Sequence, residues 1–423
     1  MFKNKTIRNI VFLWLAWVLI VIGYQAWAAA RMQPQRPDYA RPFWTPRETT
    51  ALAQAGKPYL LEPFMNQQVC WDSEFYLSIA VAGYEDPLVT KADVNLNQFD
   101  DDPLNDYQRN MRTIPLSYAF FPFYPVMIWL FMWPLKLLGM NAIATATLAA
   151  VIVSALGALG GMIALYFLGR DELEDSGAWR AAFYLIIFPS GFFLTMVYTE
   201  GLFVGLAFGS LALLMRRQWL GAAILAAGAA LTRSVGVALV VPMGIVLLRE
   251  VGLRNLKALF TRPFLGKAGL TLLPLLAFLA WKVSPLGQTF DIIQAAWFGR
   301  GFLEIGKSWE SWKYAFDQVF HSGGPSMAYH MMEMFFSIVA LIACFFTFKR
   351  HPEITLFSLT VILFALFSGD IQGMYRYVLA APSLFLFLSR LGRNEAFDRA
   401  WTVASLLLMS INAYLFAMDM WAG

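Results

Sequence analysis

Two carboxylates, Asp72 and Glu74, stand among aromatic side chains in a polar segment that follows the first apolar run of the chain. A carboxylate can act as a general base toward a hydroxyl group, as glycosyl transfer with inversion requires. Three aromatic neighbours, Trp71, Phe75 and Tyr76, would form a wall suited to a sugar ring. The alternative interpretation of Asp72 is structural, because an aspartate that directly precedes a helix is commonly its N-cap.

Two arginines are predicted to lie near the same membrane face as Asp72. Arg233 stands between two short apolar runs, and Arg376 opens a late apolar run. An ionisable residue at membrane depth is costly and marks a candidate functional site, and the planar guanidinium group suits phosphate. We therefore expect both arginines to bind the phosphate of a lipid-linked ligand. The alternative for either arginine alone is snorkelling toward the lipid headgroups.

Glu200 is a further candidate, in the motif Tyr198-Thr199-Glu200 between two apolar runs. The predicted topology places it at the same face as the arginines. Two interpretations stay open for its carboxylate, namely an ion pair with an arginine or a position in the pocket lining.

The sequence favours no metal site. The acid-rich stretch 93–104 would need a glycine at its sixth position and a glutamate at its twelfth to form an EF-hand loop, and it has Gln98 and Leu104 there. A solvated acidic loop is the predicted structure. His321 and His330 are too isolated to indicate metal ligands.

The composition predicts a polytopic membrane protein. Of the 423 residues, 59% are hydrophobic and 14% are charged, whereas soluble domains carry roughly 25% charged residues. Apolar runs without strict alternation select helices over a β-barrel. The net charge is only +4, and the basic residues sit mainly in short loops, so nucleic acid is not an expected partner. The two cysteines do not indicate a disulfide.

The apolar runs predict one membrane-embedded domain over residues 1–423 with about eleven crossings. The predicted crossings are 8–29, 141–168, 181–197, 201–215, 220–231, 235–248, 268–283, 331–348, 354–367, 374–388 and 401–418. We expect a cytoplasmic N-terminus, an outside loop with interfacial helices at 30–140, and the remaining spans over 141–418. A second outside loop, at 284–330, predicts amphipathic helices on the membrane surface.

Two features of this topology are needed to place the basic short loops on the cytoplasmic side. First, residues 120–139, rich in Phe, Trp and Pro, must lie at the interface without crossing the membrane. Second, the chain must turn outside near Arg233. The runs 220–231 and 235–248 could form a hairpin hinged there, or one long helix.

Five motifs occur in a fixed order between Trp71 and Tyr377, and any one alone is weak. They are Trp71-Asp72 with Tyr76, Ile79-Ala80 and Gly83-Tyr84; Phe120-Phe121-Pro122-Phe123-Tyr124-Pro125; Tyr198-Thr199-Glu200; Thr232-Arg233-Ser234; and Arg376-Tyr377. With them the chain resembles the PIG-V family of integral-membrane mannosyltransferases, which have the GT-C architecture. The acidic insert between Tyr84 and Phe120 is longer than the family leads one to expect, so the family's glycolipid acceptor is not carried over.

The resemblance implies a polyprenyl- or dolichyl-phosphate-linked mannose donor, an outward-facing site and Asp72 as the catalytic base. We therefore expect an all-α, GT-C-like hexosyltransferase that transfers a hexose, with mannose expected, from a polyprenyl-phosphate donor to a hydroxyl of a glycan or glycolipid acceptor, with inversion. Glu74 would be a supporting or alternative carboxylate, and Arg376 and Arg233 would stabilise the departing phosphate. The expected pocket residues are Trp71, Phe75, Tyr76, Tyr124, Tyr198, Glu200 and Tyr377.

No cofactor is expected, and the expected partners are the donor, the acceptor and membrane lipids. The expected location is a bacterial or archaeal cell membrane, or the endoplasmic reticulum in a eukaryote. One alternative is a transporter or flippase of a lipid-linked sugar, whose typical inverted repeats are not evident. Another is a non-catalytic membrane subunit with the same fold.

Overall fold

Helices form almost all of the regular structure, since an apolar backbone in lipid must satisfy its own hydrogen bonds. The computed structural model describes residues 5–95, 111–251 and 261–423. Within them one antiparallel hairpin pairs β1 (Lys91–Asn95) with β2 (Met111–Pro115). The helices are α1 (Lys5–Arg31), α2 (Thr45–Glu48), α3 (Ala51–Gln54), α4 (Pro58–Leu61), α5 (Ser73–Ala82), α6 (Phe123–Leu135), α7 (Ala142–Ile187), α8 (Glu200–Met215), α9 (Trp219–Thr232), α10 (Val240–Val251), α11 (Arg262–Lys282), α12 (Pro285–Ala296), α13 (Ile305–His321), α14 (Gly324–Thr347), α15 (Pro352–Leu366), α16 (Met374–Tyr377), α17 (Pro382–Leu391) and α18 (Glu395–Ala417).

The predicted all-helical polytopic fold is confirmed. Five described helices are long and apolar enough to cross a membrane, namely α1, α7, α11, α14 and α18. Shorter apolar helices, α8, α9, α15 and α17 among them, pack between these five. The count of about eleven crossings, the loop boundaries at 30–140 and 284–330, and the side of the N-terminus stay predictions.

The predicted division between the spans 141–168 and 181–197 agrees with a break in the helix, whereas the predicted end of the second span is wrong. The chain forms α7 from Ala142 to Ile187, with a kink at Glu174 where φ is +60°. The helix then ends ten residues before the predicted boundary. Pro189 follows directly after Phe188 and disfavours a helical conformation there, so Phe188 is extended with ψ 147°. Residues Gly191–Thr195 continue as a 3-10 turn.

The predicted span 374–388 is broken for the same reason. It consists of α16, a 3-10 turn and α17, and the backbone of Ala381 is extended just before Pro382. The short helix α16, which carries Arg376, is therefore separate from the longer helix that follows it.

The hinge at Arg233 is real, and one long helix is excluded. Arg233 is extended, with φ −151° and ψ 141°, and it ends α9. The 3-10 segment Ser234–Leu239 then folds against α9. A Cβ atom added to Gly236 would lie 2.4 Å from the backbone carbon of Ala229, so only glycine permits this contact. The hinge residues Thr232 to Val235 line the cavity described below.

Small residues let α7 and α8 pack in backbone contact, as is common between membrane helices. A Cβ atom on Gly201 would lie 2.3 Å from the carbonyl oxygen of Ser154, and one on Gly205 would lie 2.5 Å from that of Gly157. The packing is equally close at Gly161, where a Cβ atom would lie 2.6 Å from Val204 Cγ1. This contact fixes the first residue of α8, Glu200.

The loops on the predicted outer side contain several short helices. In 284–330 the helices are α12 and α13, and α13 exposes Trp309, Phe316 and Phe320, as an amphipathic helix should. Residues 120–139 contain α6, and whether it crosses stays a prediction. The acid-rich stretch begins in β1, and its residues 96–104 lie outside the described residues.

Candidate active site

Asp72 lies directly before α5, yet its side chain makes no capping hydrogen bond to that helix. The carboxylate instead faces Arg376, with 3.6 Å between Asp72 Oδ2 and Arg376 Nη1. Its side chain keeps 28% of its surface accessible where it lines a cavity. The capping interpretation of Asp72 is therefore wrong.

Hydrogen bonds tie the turn that carries Asp72 to the segment before α8. The backbone N–H of Asp72 donates to Tyr198 Oη at 3.3 Å. The hydroxyl of Ser73 donates to the carbonyl of Val197 at 3.0 Å. Trp71 has a φ of +51°, which is uncommon for a bulky residue, and its indole N–H donates to the carbonyl of Met420 at 3.3 Å. These contacts fix the direction of the Asp72 side chain.

Arg376 and Arg233 meet at a single carboxylate oxygen of Glu200. Arg376 Nε lies 3.3 Å from Glu200 Oε1, and Arg233 Nη1 donates to the same oxygen. Arg233 also donates to Thr199 Oγ1 at 3.1 Å. Glu200 therefore fulfils both interpretations at once, since it pairs with arginines and lines the cavity. A buried guanidinium needs such a partner, and snorkelling is excluded for both arginines in this arrangement.

Three guanidinium groups surround the ring of Tyr377. The guanidinium carbons of Arg233, Arg300 and Arg376 lie 4.8, 5.1 and 5.3 Å from the ring centroid, within the range of cation–π attraction. Arg300 also donates to Tyr377 Oη at 2.6 Å. The predicted pair Arg376-Tyr377 thus gathers basic groups from three distant parts of the chain.

Arg300 was not predicted from the sequence. It lies in the loop between α12 and α13, within Phe298-Gly299-Arg300-Gly301-Phe302. A single arginine between glycines, inside an aromatic stretch of an outer loop, is the signal that could have indicated it. Glycines permit a tight loop, and aromatic neighbours are typical of a ligand pocket.

Glu333, in α14, holds the backbone of the segment that carries Arg376. Its two carboxylate oxygens accept hydrogen bonds from the N–H groups of Gly373 at 2.6 Å and Tyr375 at 2.7 Å. The N–H of Gly373 also lies 3.0 Å from Tyr329 Oη. The Glu333 side chain is fully buried. It therefore sets the position of α16, and a carboxylate inside the predicted span 331–348 is the signal that could have indicated it.

A cavity of about 680 Å³ lies between these groups. Its polar lining comprises Asp72, Tyr76, Glu200, Arg233, Arg300, Arg376, Tyr377 and the pair Lys282 and Asp291. Its apolar lining includes Phe120, Phe121, Val235, Phe278, Phe290, Phe298, Phe302 and Phe364. A cavity with convergent polar groups and apolar walls is typical of a small-molecule site. This one fits a ligand that has both an anionic group and an apolar part.

Four of the predicted pocket residues lie behind the cavity surface. Phe75 stacks on Phe120 with 4.9 Å between ring centroids. Tyr124 is fully buried, and its hydroxyl lies 2.8 Å from Ser154 Oγ. The others are Trp71 and Tyr198, which support Asp72 as described above. Tyr76, Glu200 and Tyr377 line the cavity directly.

Glu74 does not join Asp72 at the cavity. Two residues along an α-helix correspond to about 200° of rotation, so its side chain leaves α5 on the other side. It is 2% exposed. Burial raises the pKa of Glu74 to about 7, and the nearby ammonium of Lys57 opposes this rise. The geometry gives it no contact with the cavity.

The end of the chain reaches the cavity, which the sequence did not indicate. Trp421 packs edge-on against Trp44 at 4.7 Å and Trp71 at 5.2 Å between ring centroids. Its backbone N–H donates to Asp38 Oδ2 at 2.5 Å. Trp421 and Gly423 line the cavity, so the segment after α18 supports the turn at Trp71.

Two opposing effects act on the carboxyl group of Asp72. Burial raises the pKa of Asp72, and the guanidinium of Arg376 opposes this rise. A carboxylate in such a setting is a stronger base than one in water, while the neighbouring cation keeps the ionised form accessible. This is the electrostatic environment that a general base needs.

The site and the fold together define an all-helical membrane protein with a cavity lined by arginines and carboxylates. No family model matches the chain, and no curated protein matches it with significance. By structure it is similar to ArnT from Cupriavidus metallidurans bound to undecaprenyl phosphate, with 12% identity and a TM-score of 0.45, over 83% of this chain and 72% of ArnT.

It is also similar to the archaeal oligosaccharyltransferase AglB from Archaeoglobus fulgidus in complex with an inhibitory peptide and a dolichol-phosphate. The identity is 14% and the TM-score 0.44, over 97% of this chain and 56% of AglB. The chain therefore spans little more than half the length of AglB.

Proposed function

We propose that the protein is a membrane glycosyltransferase of the GT-C type that uses a polyprenyl-phosphate-linked hexose. The acceptor is a hydroxyl group of a glycan or glycolipid. The observation that carries the proposal is the shared cavity, in which the carboxylate of Asp72 and the guanidinium of Arg376 lie 3.6 Å apart. The two charges would act on opposite sides of one transfer step, the carboxylate on the acceptor hydroxyl and the guanidinium on the leaving phosphate of the donor.

In this mechanism Asp72 removes the proton from the acceptor hydroxyl as the hydroxyl oxygen attacks the anomeric carbon. The bond between that carbon and the phosphate oxygen breaks on the opposite face of the sugar, so the configuration inverts. The bonding electron pair goes to the phosphate oxygen. Negative charge therefore grows on the phosphate, and guanidinium groups aimed at it lower the barrier.

The apolar lining supports a lipid-linked donor. Val235, Phe278 and Phe364 line one part of the cavity, contributed by the 3-10 segment after Arg233, by α11 and by α15. A polyprenyl chain could leave the polar centre along these side chains. Tyr76 and Phe120, which are in edge-on contact at 5.0 Å between ring centroids, would face the sugar.

Three more specific assignments belong to this proposal, and each rests on a single observation. Mannose rests on the resemblance of the five motifs to the PIG-V family. The outer-face site and the cytoplasmic N-terminus rest on the positive-inside count. A metal-independent reaction rests on the guanidinium groups, which can neutralise a monophosphate leaving group themselves.

The test uses purified full-length protein in detergent micelles with radiolabelled polyprenyl-phosphate-mannose and an acceptor glycolipid extract. The proposal predicts release of unlabelled polyprenyl phosphate and label in the acceptor, without any sealed membrane. A flippase of lipid-linked sugar would leave the donor intact under these conditions. An intact donor, with donor binding demonstrated on the same sample, contradicts the enzyme assignment.

A further inference from the structure

Most of the charges in the cavity are already paired with one another. Arg376 faces both Asp72 and Glu200, and Arg233 binds Glu200. At the cavity rim Lys282 pairs with Asp291. The two arginines that the sequence indicated as phosphate ligands are therefore already occupied by carboxylates.

Arg300 differs from them. Its guanidinium donates to Tyr377 Oη at 2.6 Å and to the carbonyl of Gln372 at 2.7 Å. Among the residues that the structure describes, no carboxylate lies within salt-bridge distance of it. A guanidinium group has five N–H donors, so several remain for a ligand, and the full positive charge remains as well.

Backbone hydrogen bonds and a close backbone contact hold the loop that carries Arg300 in position. The N–H of Arg300 donates to the carbonyl of Gln294 at 3.0 Å, and the N–H of Gly301 donates to that of Ser368 at 3.0 Å. A Cβ atom on Gly369 would lie 2.4 Å from the carbonyl oxygen of Gly299, so the two loops touch through their backbones. Arg300 is thus held toward Tyr377 by the loop that follows α15.

The charged side chains that line the cavity also single out Arg300. The charged side chains that line the cavity, among the described residues, are four cations, Arg233, Arg300, Arg376 and Lys282, and three carboxylates, Asp72, Glu200 and Asp291. Among the described residues, Arg300 is the one of these four cations that pairs with no carboxylate.

We propose that Arg300 is the principal phosphate-binding residue of the cavity. This inference rests on the proposed function and deepens it. Arg376 and Arg233 then act mainly by holding the two carboxylates and by adding to the field at the phosphate.

The test measures binding of farnesyl phosphate to the purified full-length protein in detergent. Arg300→Gln should weaken farnesyl phosphate binding by about ten- to a hundredfold, the effect of losing charge-assisted hydrogen bonds. Arg300→Lys keeps the charge and should lose less than Arg300→Gln. The control Arg112→Gln removes the same charge from an exposed position in β2 and should change binding less than twofold.

A second measurement on the same samples guards against a folding defect in Arg300→Gln. Raising the salt concentration should weaken the binding of farnesyl phosphate to the unmodified protein more than its binding to Arg300→Gln, because salt screens the charge that the variant lacks. Binding within twofold of the unmodified protein in Arg300→Gln overturns the role of Arg300.

The outcome separates this inference from the proposed function. If Asp72→Asn abolishes transfer while Arg300→Gln binds farnesyl phosphate normally, the function stands and the inference fails. If Arg300→Gln loses binding while no variant and no unmodified protein shows transfer, the anion site stands and the enzyme assignment fails.

Discussion

The guanidinium of Arg376 lies 3.6 Å from the carboxylate of Asp72, although Asp72 lies in the predicted first outer loop and Arg376 opens the penultimate predicted span. Their meeting depends on two separate supports. The turn at Asp72 is tied to Tyr198, and α16 is tied to Glu333. A change at either support should act on the reaction without touching a reacting group.

Arg376→Gln should move the pH dependence of transfer. Burial raises the pKa of Asp72 and Arg376 opposes this rise, so removal of Arg376 raises the pKa further. A general base is active when deprotonated, and activity is lost as the pH falls through its pKa. The acidic limb of kcat/KM against pH should therefore shift to higher pH, with a rate loss of about a hundredfold or more. An unmoved limb would show that Arg376 does not act on Asp72.

Glu333→Gln should lower kcat through the position of Arg376. An amide can accept only one of the two N–H bonds from Gly373 and Tyr375, and the other buried N–H faces an NH₂ group, at a cost of about 1–3 kcal/mol. We expect roughly a tenfold fall in kcat with a normal elution profile. The matched control is Ser337→Ala, which removes a hydroxyl bonded within the same helix, to the carbonyl of Glu333. An equal fall in both variants would indicate a general effect on α14.

Glu74→Gln should stabilise the protein at alkaline pH. Burial raises the pKa of Glu74 from 4.5 to about 7, so the folded protein binds more protons than the unfolded one between these values. Stability from this group is fully present below pH 4.5 and is lost as the pH rises through about 7, by at most about 3 kcal/mol. A neutral glutamine should remove this loss, which thermal unfolding in detergent at pH 5 and pH 8 can measure.

The control for that measurement is Glu310→Gln, at an exposed position of α13. It should leave the difference in Tm between the two pH values unchanged. If Glu74→Gln shows the same pH dependence as the unmodified protein, Glu74 is ionised in the folded state at neutral pH.

Trp421→Ala should reduce kcat more than it raises KM. Trp421 packs edge-on against Trp71, whose left-handed backbone sets the direction of Asp72. Trp421→Phe keeps a ring in the same place and should restore most of the rate. Trp133→Ala, at an exposed position on α6, is the control for loss of a tryptophan. A rise in KM alone would instead place Trp421 in substrate binding.

Six residues that the sequence indicated line the cavity; Tyr76 and Tyr377 were indicated by motifs, and the other four by their chemical setting. Asp72, Glu200, Arg233 and Arg376 are ionisable groups at the ends of apolar runs, and such positions are costly without a function. Their partners were not evident, since hydrogen bonds such as those of Glu333 and Trp421 connect helices that are distant in sequence. Tyr377 was indicated by its motif, yet its contact with Arg300 depends on how two loops meet.

Other errors have a local cause. The run 181–197 was interpreted as one span because its hydropathy continues through Phe188-Pro189, but backbone sterics at the proline end the helix. Trp71, Phe75, Tyr124 and Tyr198 were placed in the pocket wall because they are aromatic and near Asp72 in sequence or motif order. In the fold they form the layer that supports the wall.

The most direct test of Asp72 as the general base is the rate of hexose transfer by Asp72→Asn in detergent, with binding of farnesyl phosphate measured on the same preparation. We expect turnover to fall by about 10²- to 10⁴-fold, the usual effect of removing a general base. Farnesyl phosphate should bind to the variant at least as well as to the unmodified protein. Transfer at a near-normal rate by Asp72→Asn would contradict this role, because the carboxylate in the cavity would then have no part in the reaction.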